Sequence, residues 1–405
     1  MLQKFTVFLW LVGCSPIPLG PKVGLPSGPT PVSHGTTVDP ELAEQVDSAV
    51  LSTVEELGLP GLAVALTYRG EVIFTGAYGW AELETERDLK TDTPVLLSSV
   101  SKTFIGIAAM MAVDNGTLTL DDPVKGLVGY DIDNPHVAGD KLLLRHLLTH
   151  NGAIDDWNAY NRSYAPGDPE EDLATFLEAY LVKGGAHYNK WNYYDRQPGK
   201  KFAYCNVGAA LAAHAIAKPQ GATFDKLVDR DILQPLGMVN SAYFLKDLKN
   251  DPAVPYKMVD GDFRPWAQYG FPTYPDGLMR SSADDMARYL AAIQGGGTLD
   301  GVQILAAESV ETMLTVDEAY GTDEDGQAII WSQTEEHGRL LIGHNGGDDG
   351  SMTEMRMDRA SHVGTVILLN TDPDVAGGYK GIIALQAELH ALVEAWAVTG
   401  SAPPT

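Results

Sequence analysis

Strand and helix signals are segregated along this chain, and that segregation constrains the fold most. Short apolar runs with turn residues between them lie near the start, Leu62–Tyr68 and Val72–Tyr78 about the Arg69-Gly70 turn. They return near the end, at 328–333, 338–342, 351–358 and 363–370. The middle is dominated by helical periodicity, in runs such as Val207–Ala217, Phe224–Leu233, Ser282–Gln294 and Gln303–Leu314. Two more helices bracket the strands. One carries the stripe Leu42, Val46, Ala49, Val50, Val54 and Leu57, opened by Asp39-Pro40-Glu41 and stopped by Gly58; the other is Lys380–Val398. Strands so far apart in sequence bury an apolar face most economically in one sheet. The expected fold is therefore α+β, of the α/β sandwich type. An antiparallel sheet from N- and C-terminal strands (about 39–95 and 325–398) is covered by the terminal helices, with a mainly helical region (about 99–320) inserted. A cleft between two such regions is a usual place for a site.

Ser99-Val100-Ser101-Lys102 sits where the first strands give way to the helical region. Residues i and i+3 of a helix share one face, so a helix opened by Ser99 puts Lys102 beside its hydroxyl. The run after it has helical spacing in Phe104, Ile107, Ala108 and Met111, with Asn115-Gly116 as a stop. A serine hydroxyl is a poor nucleophile near neutral pH, and an adjacent base corrects that. A helix N-terminus adds free N–H groups and partial positive charge. A solvated helix start is the structural alternative.

Two further elements stand out. Tyr204-Cys205-Asn206, the only Tyr-x-Asn in the chain, precedes a helix; a phenol there could exchange protons with a serine. A loop tyrosine bonded to backbone is the other reading. His344-Asn345-Gly346 lies between strand-like runs and leads into Gly346-Gly347, where backbone can approach a ligand closely. His-x-Gly recurs at His150 and His362, so position alone distinguishes His344.

The net charge of −26 argues against nucleic acid and against electrostatic docking on anionic membranes. Cys14 and Cys205 are too few for a disulfide scaffold, and no Cys/His cluster suggests zinc, so no metal or cofactor is called for. Residues 1–14 read as a targeting segment: Lys4, a short apolar stretch Phe5–Val12, then Leu11-Val12-Gly13-Cys14. That ending resembles the bacterial lipoprotein box, in which the cysteine is acylated after cleavage; an ordinary secretory signal is the other reading. Residues 15–38, crowded with Pro, Gly, Ser and Thr, read as a spacer ahead of a domain at 39–398. On this reading the protein is exported to the cell envelope, periplasm or outer surface, on a lipid anchor at Cys14.

With these residues in their order, the chain resembles the serine β-lactamase-like hydrolases: class C β-lactamases, D-Ala-D-Ala carboxypeptidases and related esterases and D-amino-acid amidases. Ser99-x-x-Lys102, Tyr204-x-Asn206 and the His344 element match its three motifs. Arg145-His146-Leu147-Leu148-Thr149-His150, Pro235-Leu236-Gly237-Met238 and Gly277-Leu278-Met279-Arg280-Ser281-Ser282 extend the likeness over about 40–396. The resemblance implies roles. Ser99 is the nucleophile, and Lys102 and Tyr204 move its proton. Asn206 contacts the substrate amide or Lys102, while His344 and Gly346 face the substrate from the strand. The N–H groups of Ser99 and Gly347 form the oxyanion hole. It implies a small-molecule or peptide substrate and no metal. The chain departs from the family in three places. Cys205 stands for the more usual serine, Asn151-Gly152-Ala153 for Thr-Ser-Gly, and His344 where class C enzymes resemble one another in having lysine. A neutral histidine is a poor grip on a carboxylate. Ester, amide or D-peptide cleavage is expected; true β-lactam hydrolysis and a non-catalytic envelope binding protein are the alternatives. Arg280 and Arg356 are the cations offered for a substrate carboxylate, and His146 and His150 read as packing residues.

Overall fold

A computed structural model describes residues 17–139, 141–316, 326–372 and 378–399. Its main sheet is built from seven strands: β1 (Val32–Thr37), β2 (Gly61–Tyr68), β3 (Glu71–Glu82), β4 (Ser332–Glu336), β5 (Arg339–Asp348), β6 (Ser351–Asp358) and β7 (Val363–Leu369). They run in the order β1-β3-β2-β7-β6-β5-β4, every neighbour antiparallel. Two-residue strands extend it, Arg87–Asp88 against β3 and Gly326–Gln327 against β4. The expected union of N- and C-terminal strands is the β2–β7 ladder, from Val363 opposite Tyr68 to Leu369 opposite Leu62.

Local chemistry places the covering helices. Asp39 caps α1 (Pro40–Leu57), its carboxylate accepting from the Glu41 and Leu42 amides at 2.8 and 3.4 Å, and Gly58 ends it in the left-handed region. The stripe of α1 and that of α5 (Gly378–Val398) bury together against one sheet face, with Val46, Val50, Val64, Ile367 and Leu389 at the centre. The other face meets α4 (Ala283–Gln294) and the helical region, which includes α2 (Thr103–Asp114) and α3 (Asn206–Ala217).

Two expectations change. The 15–38 stretch is docked over much of its described length. The Gly20 N–H donates to the Pro265 carbonyl at 2.7 Å, the Val23 N–H to the Phe263 carbonyl at 2.8 Å, and β1 pairs with β3. An outer strand is held by backbone hydrogen bonds, which composition does not report. Cys14 and the targeting segment lie outside the described residues. The strand expected at 338–342 runs on to Asp348, because β6 pairs with it from Leu341 opposite Asp358 to Asp348 opposite Ser351. His344 is therefore inside a strand rather than between two.

Candidate active site

The serine sits on a tight turn, the 3₁₀ segment Ser98–Lys102, which runs straight into α2. In a 3₁₀ turn side chains at i and i+3 eclipse, so Ser99 and Lys102 are forced together. Ser98 has φ +48°, a strained conformation for a residue with a Cβ. The strain is held from the far end of the chain. Ser98 and Ser351 share a hydroxyl hydrogen bond (3.2 Å), Ser351 Oγ donates to the Leu96 carbonyl (2.5 Å) and Thr353 Oγ1 to the Leu97 carbonyl (2.7 Å). Gly346 completes the clamp. A methyl on it would lie 2.9 Å from the Ser99 amide nitrogen and 2.5 Å from the Leu97 carbonyl oxygen. Only glycine lets β5 run this close, so Gly346 sets spacing.

Lys102 is fully buried; its ammonium donates to Ser99 Oγ at 2.9 Å and to the Asp276 carbonyl at 2.5 Å. It lies 5.0 Å from the centre of the Tyr204 ring. Burial raises the Tyr204 phenol above its usual pKa of 10, while the Lys102 charge and hydrogen bonds with Lys102 and Ser99 pull it back down. Tyr204, distant in sequence, thus meets Ser99 and Lys102 at one point.

Two histidines flank Tyr204. The His150 ring stacks on it with centroids 4.3 Å apart, and His344 lies at 6.2 Å. His150 Nδ1 accepts the Cys205 N–H at 3.2 Å, so in the neutral ring Nε2 carries the proton. His344 Nδ1 lies 2.5 Å from the Asn345 carbonyl, which can only accept, so there Nε2 is the acceptor. Both are held neutral. Burial and then the Lys102 charge push His344 down to about 3 and His150 well below the usual value.

Asn206 stands at the first position of α3. Its side-chain N–H donates to Asp156 at 2.9 Å. Asp156, half-buried, also accepts the N–H groups of Asn206 (2.8 Å) and Val207 (2.9 Å) and the Cys205 thiol (3.3 Å). It caps α3 from another segment and fixes the turn that carries Tyr204. Gly347 follows Gly346 on β5, opposite Met352. Arg280 and Arg356 are structural. Arg280 donates to the carbonyls of Tyr269 (2.7 Å) and Leu278 (3.4 Å) and to Gln268 (3.2 Å). Arg356 pairs with Glu354 at 2.7 Å, on the sheet face opposite to His344 by strand alternation.

A serine touching a buried amine and a phenol, under a glycine-lined strand, is an arrangement in which a hydroxyl can give up its proton to a neighbouring base. The sequence pattern described as Beta-lactamase matches residues 46–388. The chain belongs to the beta-lactamase family. Among curated relatives of this beta-lactamase family chain, esterase EstB of Burkholderia gladioli is 27% identical over 296 residues, covering 62% of this chain and 70% of its own. Protein Rv1367c of Mycobacterium tuberculosis is 27% identical over 300 residues, 66% of this chain and 71% of its own. A class C beta-lactamase structure superposes with a TM-score of 0.68 at 19% identity, covering 87% and 96% of the two chains. The octameric penicillin-binding protein homologue from Pyrococcus abyssi gives 0.66 at 23%, covering 85% and 76%. The fold is that of these proteins.

Sequence reasoning misses three residues of this beta-lactamase family site. Asp156 and Asp276 carry no motif, since only long-range packing brings them to Lys102. His150 reads from the sequence as packing; it does pack, but on Tyr204. Its one signal is its place after Leu147-Leu148-Thr149, in a string that carries the family resemblance.

Proposed function

We propose that this protein is a serine hydrolase that cleaves an ester or amide through an acyl-enzyme. The observation that carries the reading is the 2.9 Å contact between Lys102 Nζ and Ser99 Oγ in a buried setting. In its neutral form Lys102 accepts the serine proton as Ser99 Oγ attacks the carbonyl carbon. Tyr204, bonded to both, passes a proton to the leaving group. The Ser99 and Gly347 N–H groups stabilise the oxyanion, a contribution of about 3–4 kcal/mol per donor. Water then attacks the acyl-serine with the same pair acting as base. His344, neutral and offering an acceptor, lines the strand side of the substrate. Neutral His344, with both arginines engaged elsewhere, favours esters, amides or D-peptides over penicillins. A fluorophosphonate should label Ser99 stoichiometrically and abolish p-nitrophenyl ester hydrolysis; an unlabelled folded protein with no turnover overturns the reading.

The Lys4–Cys14 segment supports a second proposal, export to the cell envelope with acylation of Cys14. Radiolabelled palmitate should enter the intact chain and be absent from Cys14→Ser.

A further inference from the structure

We propose that His150 is the positioning residue of the Tyr204 phenol: it grips the chain on both sides of Tyr204 and covers its ring, keeping the phenol beside Lys102 and Ser99. This role deepens the acyl-enzyme reading and rests on it. The first observation is the grip. The His150 carbonyl accepts the Ala203 N–H at 2.8 Å, and its ring Nδ1 accepts the Cys205 N–H at 3.2 Å. Ala203 and Cys205 are the chain neighbours of Tyr204, so one residue pins the backbone before and after the phenol. The residues next to His150 lie against the same segment. The Asn151 carbonyl accepts the Gly199 N–H at 2.8 Å, and the Ala153 carbonyl accepts the Tyr194 N–H at 3.0 Å. The His150 ring then covers the Tyr204 ring, with centroids 4.3 Å apart and 30° between the planes, and meets the Phe202 ring edge-on at 6.0 Å. Two backbone anchors and a ring contact hold a group that must stay within hydrogen-bond reach of its proton partners.

The second observation is what this grip costs. His150 has φ +54°, in the left-handed region that few residues with a Cβ adopt. Among the described non-glycine residues with positive φ, only Ser98, His150, Ala153 and Ile330 are buried. Ser98 opens the turn of the nucleophile, and the Ile330 N–H donates to the Leu148 carbonyl, two residues before His150, at 2.7 Å. Buried strain is thus gathered around one site, where it marks a constraint of function. The ring carries a second cost. With Nδ1 accepting, the neutral ring has its proton on Nε2, which is buried and has no hydrogen-bond partner among the described residues. Burial, then the charges of Lys102 and His344, keep the ring neutral, so Nδ1 stays free to accept and Lys102 has no rival cation against Tyr204. A residue selected for packing alone would carry neither a left-handed backbone nor an orphaned donor.

Asparagine takes this role apart. It tolerates positive φ and can offer Oδ1 to the Cys205 N–H in place of Nδ1, but it has no ring. His150→Asn should lower kcat on a p-nitrophenyl ester by roughly 10- to 10²-fold, the scale of a displaced catalytic group, with KM within about twofold of the unsubstituted chain. The decisive readout is a double-mutant cycle with Tyr204→Phe. A residue that acts through the phenol has little left to lose once the phenol is gone, so His150→Asn should cost less than about twofold more in Tyr204→Phe, whereas general damage to the fold multiplies with it. His150→Gln, run through the same cycle, carries the test if circular dichroism shows that His150→Asn does not fold. An unchanged kcat in the single variant overturns the inference, as do two effects that multiply. The unsubstituted chain is the control for the chemistry. If it neither turns over the ester nor takes a fluorophosphonate on Ser99, the acyl-enzyme reading falls and this role falls with it; if it does both, the cycle judges His150 alone.

Discussion

At the scale of single residues, Tyr204 and His344 make opposite predictions. Tyr204 is bonded to both Ser99 and Lys102, so Tyr204→Phe should lower kcat by roughly 10²–10⁴-fold, the usual loss for a general acid–base group. Steady-state kinetics on a p-nitrophenyl ester checks it, and an unchanged rate removes Tyr204 from the chemistry. His344 is pushed down to about 3 by burial and the Lys102 charge. It stays neutral over the working range, so His344→Gln should leave the acid inflection of kcat/KM where it is. Gly346 is a matter of space. Gly346→Ala places a methyl among the Ser99 and Leu97 backbone atoms, which cannot rotate away as a side chain would. Displacing the serine by an ångström costs on the order of 10²-fold in rate, read as slower labelling of Ser99 in a protein that still folds.

At the scale of elements, α3 and its preceding turn depend on one carboxylate. Asp156→Ala leaves the amides of Asn206 and Val207 without their acceptor. It should destabilise the fold by about 2–3 kcal/mol, the scale of buried donors left unpaired, and lower turnover as the Tyr204 turn loosens. Denaturant unfolding and kcat together test this; unchanged values for both would contradict the clamp. These elements also show how much is legible in the sequence. The hairpin β2–β3 is readable because the Arg69-Gly70 turn separates two apolar runs, and both residues adopt positive φ, 51° and 83°. α1 is readable from Asp39 and Gly58. The docking of Gly20 and Val23 on 263–265 is not, since it is made by backbone groups that every sequence carries. Asp156 and Asp276 are hidden for a related reason. An aspartate among many looks like solubility until folding buries it beside Lys102.

At the scale of the whole molecule, burial of ionisable groups sets the response to pH. Asp276 and Asp348 are raised to about 7 and Glu354 to about 8, so the folded state holds their protons after the unfolded chain has released them. Their contribution is fully present near pH 4 and is lost as pH rises through 7 to 8. His344 at about 3, and His390 and His214 at about 4, act oppositely, losing stability as pH falls below 6.5. The two sets oppose each other between pH 4 and 6.5, and above that only the carboxyls act. Tm should therefore fall from pH 6.5 to 8.5, with a shallower fall in Asp348→Asn; a rising Tm over that window contradicts the assignment. Finally, the turn bearing Ser99 is braced by Ser351 and Thr353, more than 250 residues later. A ribosome must therefore deliver nearly the entire polypeptide before the Ser98–Lys102 turn has its braces. On the proposed acyl-enzyme reading, chains truncated before Ser351 should fail to react with a serine-directed probe.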